Sequence, residues 1–146
     1  MLDDPKLDAL LDELHKKSDA QTQTMRQHFA SRFRDGKPTE PIDLSAGADK
    51  HFVADMLVAL DRDKAMFCHA LCLSLNAKRV VEAGTSFGAS TLYLAAALRA
   101  NARGADGGKR VVIGTEYEPV KAKAARANFV RAGLSDFIDL REGDLR

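Results

Sequence analysis

The feature that most constrains this chain is an alternation that begins at Arg79. Val80 and Val81 open a short β-branched run that ends at Gly84, and residues 90–103 then read as an Ala-rich helix stopped by Gly104. Gly107 and Gly108 turn the chain into a second run over 110–115, which contains Val111, Val112 and Ile113. Glu118-Pro119 opens another helix, closed by Gly133. A third run covers 137–142, where Ile138 and Leu140 alternate with Asp139 and Arg141. The order β-α-β-α-β is half of a doubly wound sheet, so the expected class is α/β: a partial Rossmann-like sheet of parallel strands. The continuous apolar runs predict inner strands and the alternating third run predicts an edge strand.

The first 60 residues have a different character. Asp4 is placed to cap a helix with Pro5 at its first position, and Leu7, Leu10, Leu11 and Leu14 form one stripe. Met25, Phe29 and Phe33 continue the helical spacing to about residue 35, and Gly36, Pro38 and Pro41 then predict a loop over 36–47. A helix is expected over 48–60. Asp61 is placed to cap the next, over 62–75, which is apolar on most sides and is therefore expected to be buried. The domain reading is a helical arm or cap over 1–60 and a sheet domain over 61–146.

Charge and composition narrow the function classes. Lys plus Arg number 22 against 21 Asp plus Glu, a net charge of +1, which gives no electrostatic footprint for nucleic acid. The chain starts Met1-Leu2-Asp3-Asp4, with acids where a secretory signal needs bases, and no apolar run reaches the length of a membrane span. A soluble cytoplasmic protein that engages neither nucleic acid nor membrane is expected. Cys68 and Cys72 lie one helical turn apart in an apolar stretch and are expected to stay reduced.

The stretch VVEAGTSFGAST, residues 80–91, carries the chemistry. Ligands of such sheets bind beyond the carboxyl ends of the strands, which is where this turn falls. Gly84 and Gly88 allow a sharp turn and the close approach of a ligand. The helix that follows offers unpaired N–H groups to an anion, with the Ser90 hydroxyl beside them. Dinucleotide sites space their glycines as Gly-x-Gly-x-x-Gly and bring a pyrophosphate onto the turn, where a carboxylate would repel it. Here the spacing is Gly-x-x-x-Gly, and Glu82 stands two residues before the first glycine. A carboxylate there suits a ligand bearing positive charge, as S-adenosylmethionine does. Glu116 ends the second strand, placed to accept from both hydroxyls of a ribose.

Residues 61–146 resemble the N-terminal half of a class I S-adenosylmethionine-dependent methyltransferase, of the small catechol and caffeoyl-CoA O-methyltransferase type. The resemblance rests on VVEAGTSFGAST, on VVIGTEYEP and on the closing REGDLR. It implies methyl transfer to a hydroxyl of a small-molecule acceptor, with S-adenosylmethionine as cofactor. It implies that Glu82 meets the methionine amino group, that Gly84, Thr85, Ser86 and Gly88 form the turn, and that Ser90 holds the methionine carboxylate. Glu116 would bind the ribose, Tyr117 would lie against the adenine, and Gly143 and Asp144 would sit at the adenine's edge. A complete sheet of this kind has more strands than the three runs here, so the chain is expected to be a truncated form of a longer enzyme. The catalytic residues, and the ligands of any divalent metal, would lie beyond Arg146. No catalytic residue and no metal ligand is assigned.

Plainer roles stand beside these. Glu82 as a buried acid paired with a base, Glu116 as a surface acid, and Glu118 as the cap of its own helix are the alternatives. Lys121, Lys123, Arg126 and Arg131 share a helix with core positions and read as a solvated face. Cys68, His69 and Cys72 have no second pair at zinc spacing, so they read as packing. Asp61, Asp63 and Lys64 are placed to reach an acceptor from above, and capping and helix pairing explain them as well. Two rival functions remain at this point: a fragment of an NAD(P)-binding oxidoreductase, and a noncatalytic Rossmann-like module used for assembly. A homodimer is the expected form of self-association.

Overall fold

The computed structural model describes residues 2–30, 32–42, 47–104 and 108–143. The Gly107 turn and Asp144 lie outside the described residues. Helix α1 (Pro5–Ala30) starts as its sequence predicts. Asp4 Oδ1 accepts the backbone N–H of Leu7 at 3.1 Å, and Asp4 Oδ2 accepts Arg99 Nη2 at 2.8 Å, so one carboxylate caps α1 and ties it to the sheet domain. Leu7, Leu10, Leu11 and Leu14 are buried, in the same core as the helices that flank the sheet. Glu13 on α1 also pairs with Arg131 at 2.6 Å.

Past Ala30 the chain departs from the expected helix. Phe33 begins a short antiparallel ladder, β1 (Phe33–Arg34) with β2 (Lys37–Pro38). Asp35 and Gly36 between them have φ of +52° and +73°, the left-handed pair that a tight two-residue hairpin requires. Helix α2 (Gly47–Ala54) is shorter than the helix expected over 48–60. Residues beyond it run without helix because α1 takes up their backbone donors. Gln21 Oε1 accepts from the Leu57 N–H at 2.8 Å, and Ser18 Oγ accepts from the Ala59 N–H at 3.0 Å. Tertiary partners outweigh local helix preference here.

Helix α3 (Arg62–Ser74) leads to β3 (Arg79–Ala83), α4 (Ala89–Arg103), β4 (Val111–Glu116), α5 (Pro119–Ala132) and β5 (Ile138–Glu142). The three strands pair in parallel in the order β3-β4-β5, with Val80 opposite Val112 and Val112 opposite Ile138. This is a partial Rossmann-like sheet preceded by helices. Gly133, at φ +62°, ends α5 in the left-handed conformation that glycine adopts without strain. Asn101 Nδ2 donates to Cys72 O in the last turn of α3 at 2.9 Å, and the buried Arg110 Nη1 donates to Ala77 O past its end at 2.8 Å.

The expectation that α3 is buried fails on one side. It packs on α4, but only Ala65 and Cys72 are buried, while Phe67 is 68% exposed and Leu71 is also exposed. The physical reason is the position of β3. Expected as an inner strand, β3 pairs only with β4 among the described residues, so Val81 is 71% exposed and α3 overhangs the sheet. Both cysteines are free, and burial pushes the Cys72 thiol up, so it fills space in the core.

The Asp4 cap gives a direct test. Arg99 and the Leu7 N–H hold its carboxyl below the usual 3.8. Its stabilising contribution is therefore present above that value and lost as the pH falls through the depressed one. Asp4→Ala is expected to cost about 1 kcal/mol in urea unfolding at pH 7. The gap between variant and parent should close as the pH is taken below 3.8.

Candidate functional site

The candidate site lies at the carboxyl ends of β3 and β4, where the turn from Gly84 to Gly88 joins β3 to α4. Glu82 is its centre. Thr85 Oγ1 donates to Glu82 Oε2 at 3.0 Å and Ser90 Oγ donates to Oε1 at 2.6 Å, while Thr91 Oγ1 donates to Oε2. A carboxylate is thus held by three hydroxyls at the first turn of a helix, where the helix dipole also favours negative charge. Among the described residues no Lys, Arg or His forms an ion pair with it, which removes the structural alternative of an acid paired with a base. Thr91 was not singled out by sequence, yet it is fully buried and completes the collar.

Glu116 ties the turn to β4. Its Oε2 accepts the Ser86 N–H at 2.6 Å and its Oε1 accepts the Glu118 N–H at 2.9 Å. Ser86 has φ +52°, a left-handed conformation that costs a non-glycine residue about 1–2 kcal/mol. A charged hydrogen bond of this kind offsets that cost. Glu116 is buried, so it is not the surface acid of the plainer reading. The Gly143 N–H donates to Glu116 O at 3.0 Å, which brings the end of β5 to the same place. Tyr117 is exposed, with Lys50 Nζ of α2 at 4.9 Å from its ring centroid and 3.9 Å from Glu118. Glu118 sits at the N-cap of α5 without a side-chain cap bond.

The two glycines of the turn do different work. At Gly84, φ is +80° and a side chain would meet no atom within 4 Å, so the space beside it is open to a ligand. At Gly88, φ is +86° and a Cβ would collide with the ring of Phe129 on α5. The bare Cα of Gly88 makes room for the core at this end of the turn. Gly114 is a third such position that sequence reading missed. A Cβ there would collide with Thr85 Oγ1, so the glycine inside β4 makes room for one of the Glu82 donors. The signal was present, because an isolated glycine in a β-branched run marks a close approach.

A cleft of about 650 Å³ opens over this turn. It brings Glu82, Gly84, Thr85, Ser86 and Ser90 together, and its opposite wall is the segment Leu57–Asp61, for which the sequence carried no signal. Gly88, Glu116, Tyr117 and Gly143 do not line it, although Glu116 reaches its floor through Ser86. Ser86 Oγ is buried and has no hydrogen-bond partner. Asp61 and Lys64 stand at the rim and pair with each other at 2.6 Å. That pairing lowers the pKa of the acid and raises that of the base. Among the described residues no three His, Cys, Asp or Glu side chains cluster in a way that would hold a metal ion, and no helix is long and apolar enough to cross a membrane.

The site thus consists of a parallel α/β sheet with one acid just before the glycine turn and another at the end of β4. Residues 42–146 match the family described as O-methyltransferase, and the chain belongs to that family. It is 37% identical over 86 residues to a catechol O-methyltransferase of Mycobacterium tuberculosis, which covers 59% of this chain and 36% of that protein. A catechol O-methyltransferase of Niastella koreensis is 33% identical over 86 residues, 35% of its length. The chain therefore spans about a third of the length of these relatives. An O-methyltransferase from Bacillus cereus, solved in complex with SAH, has the same fold with a TM-score of 0.56 at 23% identity, covering 93% of this chain and 44% of that one. A putative O-methyltransferase from Klebsiella pneumoniae gives 0.55 at 23% identity, covering 97% and 44%. The oxidoreductase alternative finds no support among these matches.

The packing role of Gly88 can be tested by stability. Gly88→Ala is expected to cost about 1–3 kcal/mol, the sum of a left-handed alanine and an overpacked Phe129. In a Phe129→Ala background only the backbone part should remain, about 1 kcal/mol. Equal costs in both backgrounds, read by urea unfolding, would show that the ring is not what excludes a side chain.

Proposed function

We propose that this chain carries the S-adenosylmethionine-binding part of an enzyme that methylates a hydroxyl of a small-molecule acceptor. The observation that supports this best is the Glu82 carboxylate, which lines a cleft with no base paired to it and is held in place by neutral hydroxyls. Such a group seeks a cationic ligand. The cofactor bound to relatives' structures, SAM in an O-methyltransferase from Streptomyces achromogenes and SAH in that from Bacillus cereus, carries an ammonium group.

The residues fit that cofactor on their own chemistry. Glu82 would receive the ammonium of the methionine part. Ser90, whose one proton now goes to Glu82, would turn it to the methionine carboxylate once the ammonium satisfies that acid. Gly84 would let the ligand approach the backbone, and the unpartnered Ser86 hydroxyl, with Thr85 behind it, would complete the turn. Each oxygen of Glu116 accepts one backbone N–H and retains a second lone pair, enough for the two ribose hydroxyls. Tyr117 would flank the adenine with Gly143 at its edge, and Asp144 is proposed beside them. When bound, S-adenosylmethionine supplies a methyl group on a sulfonium, an electrophile that needs no activation by the protein. The chain's own part is to orient, and to keep water from the cleft with the Leu57–Asp61 wall. No residue is assigned as the base or to a metal.

For the whole protein we propose a small-molecule acceptor, no nucleic acid, and a cytoplasmic location consistent with the free thiols of Cys68 and Cys72. The apolar overhang of Phe67, Leu71 and Val81 is the surface on which self-association is expected.

Calorimetric titration with S-adenosylhomocysteine tests the assignment. Glu82→Gln and Glu116→Gln are each expected to weaken binding by about 1–3 kcal/mol, the loss of a charged hydrogen bond. NADH should not bind. Unchanged affinity in Glu82→Gln, with the circular dichroism spectrum retained, would remove the ammonium contact on which the reading rests.

A further inference from the structure

The buried stripe of α1 runs further than its leucines do. Leu7, Leu11 and Leu14 follow one another at spacings of four and three, and the same rhythm then falls on Ser18 and Gln21. Ser18 is buried like the leucines before it. A buried hydroxyl costs free energy unless it finds a partner. Its partner here is backbone: Ser18 Oγ accepts from the Ala59 N–H at 3.0 Å, and one turn on Gln21 Oε1 accepts from the Leu57 N–H at 2.8 Å. No backbone carbonyl among the described residues accepts from either group. The stripe turns polar at these two positions because the chain opposite presents backbone donors there.

Those donors belong to the far wall of the cofactor cleft. Leu57–Asp61 face Glu82 and Gly84 across it, whereas Ser18 and Gln21 do not line it. The near wall is fixed to α4, since Ser90 and Thr91 of that helix hold the Glu82 carboxylate. Helix α1 is fastened to the same helix. Asp4 accepts from Arg99 at 2.8 Å, and His15 Nε2 lies 3.2 Å from Tyr93 Oη in the buried interior. Glu13 adds a tie to Arg131 of α5 at 2.6 Å, and Asp12 one to Arg62, just past the wall, at 2.5 Å. Both walls are thus referenced to α4, one directly and the other through α1.

We propose that Ser18 and Gln21 are positioning residues for the cofactor: they hold the wall at Leu57 and Ala59 at the distance from Glu82 that the ligand requires. The proposal rests on the reading of that cleft as the cofactor site. It makes α1 part of the binding machinery without any contact to the ligand. Affinity then depends on two acceptors that reach the site only through the backbone of the wall. Preorganisation of this kind spares the ligand the cost of ordering the segment itself.

The test is calorimetric titration of the full chain with S-adenosylhomocysteine. Gln21→Met keeps the length of the side chain and removes the acceptor, and Ser18→Ala removes the hydroxyl. Each is expected to weaken binding about three- to ten-fold, the share of one hydrogen bond. The two variants are independent, so one that failed to fold leaves the other. Gln21→Glu retains an oxygen for the Leu57 N–H and is expected to stay within about two-fold of the parent. Amide exchange by NMR shows whether the wall is what responds. Leu57 should lose protection in Gln21→Met and Ala59 in Ser18→Ala. By reciprocity, saturating S-adenosylhomocysteine should slow both amides in the parent, and by more than at Thr39, whose N–H is bonded to Arg32 O in the hairpin at 2.7 Å. Parental affinity in Gln21→Met and Ser18→Ala, with Leu57 and Ala59 exposed to exchange, would overturn the proposal. So would a loss in Gln21→Glu equal to that in Gln21→Met, because the acceptor would then not be the cause. Failure of the parent to bind S-adenosylhomocysteine would instead overturn the reading of the cleft, and is seen separately because that titration involves no variant.

Discussion

The Glu82 carboxylate is the point from which the rest of the site is organised. It stands on β3, and its three hydroxyl donors come from the turn and from the first residues of α4, so one side chain fixes how strand, turn and helix meet. Hydrogen bonds to a charged acceptor contribute about 1.5–3 kcal/mol each, against the cost of partly removing a carboxylate from water. Hydroxyls bring no charge of their own. The acid is therefore positioned without being neutralised, which is the condition for it to attract a cation from outside.

Glu116 does the complementary work from β4. It holds Ser86 in a left-handed conformation by accepting its N–H, and so the shape of the turn depends on an acid thirty residues away in the chain. The turn is further braced from behind, where Asn128 Nδ2 donates to Phe87 O at 3.0 Å and the Phe129 ring fills the space beneath Gly88. Strain at Ser86 is thus carried by the sheet and by α5 together. A turn built this way is preorganised, so ligand binding need not pay to shape it.

How much of this could be read from the sequence depends on whether the determinant is local. The ends of α4 and α5 follow from Gly104, Pro119 and Gly133, whose effects act on their own backbone, and these boundaries are where the sequence places them. Glu82 and Glu116 were legible because their positions relative to the strands restrict what can bind beside them. The Asp35-Gly36 hairpin was missed, because the helical spacing of Phe29 and Phe33 concealed its turn signal. By contrast, the extended run at Leu57–Asp61 follows from Ser18 and Gln21, which reach it across the fold. No property of the run itself forbids a helix. The role of Gly88 likewise depends on Phe129, more than one element away.

That extended run carries a functional consequence of its own. A helix satisfies its own backbone groups and leaves only side chains to form a wall, whereas an extended segment is one residue thick and presents alternate side chains to opposite faces. Val58, Ala59, Leu60 and Asp61 border both the cofactor cleft and a second cavity of about 890 Å³. The donors that hold the run open, Leu57 and Ala59, are spaced two apart and both face α1, as the period of an extended chain requires. The polar residues Ser18 and Gln21, set into an otherwise ordinary helix face, are in this sense part of the site although neither reaches the cofactor cleft.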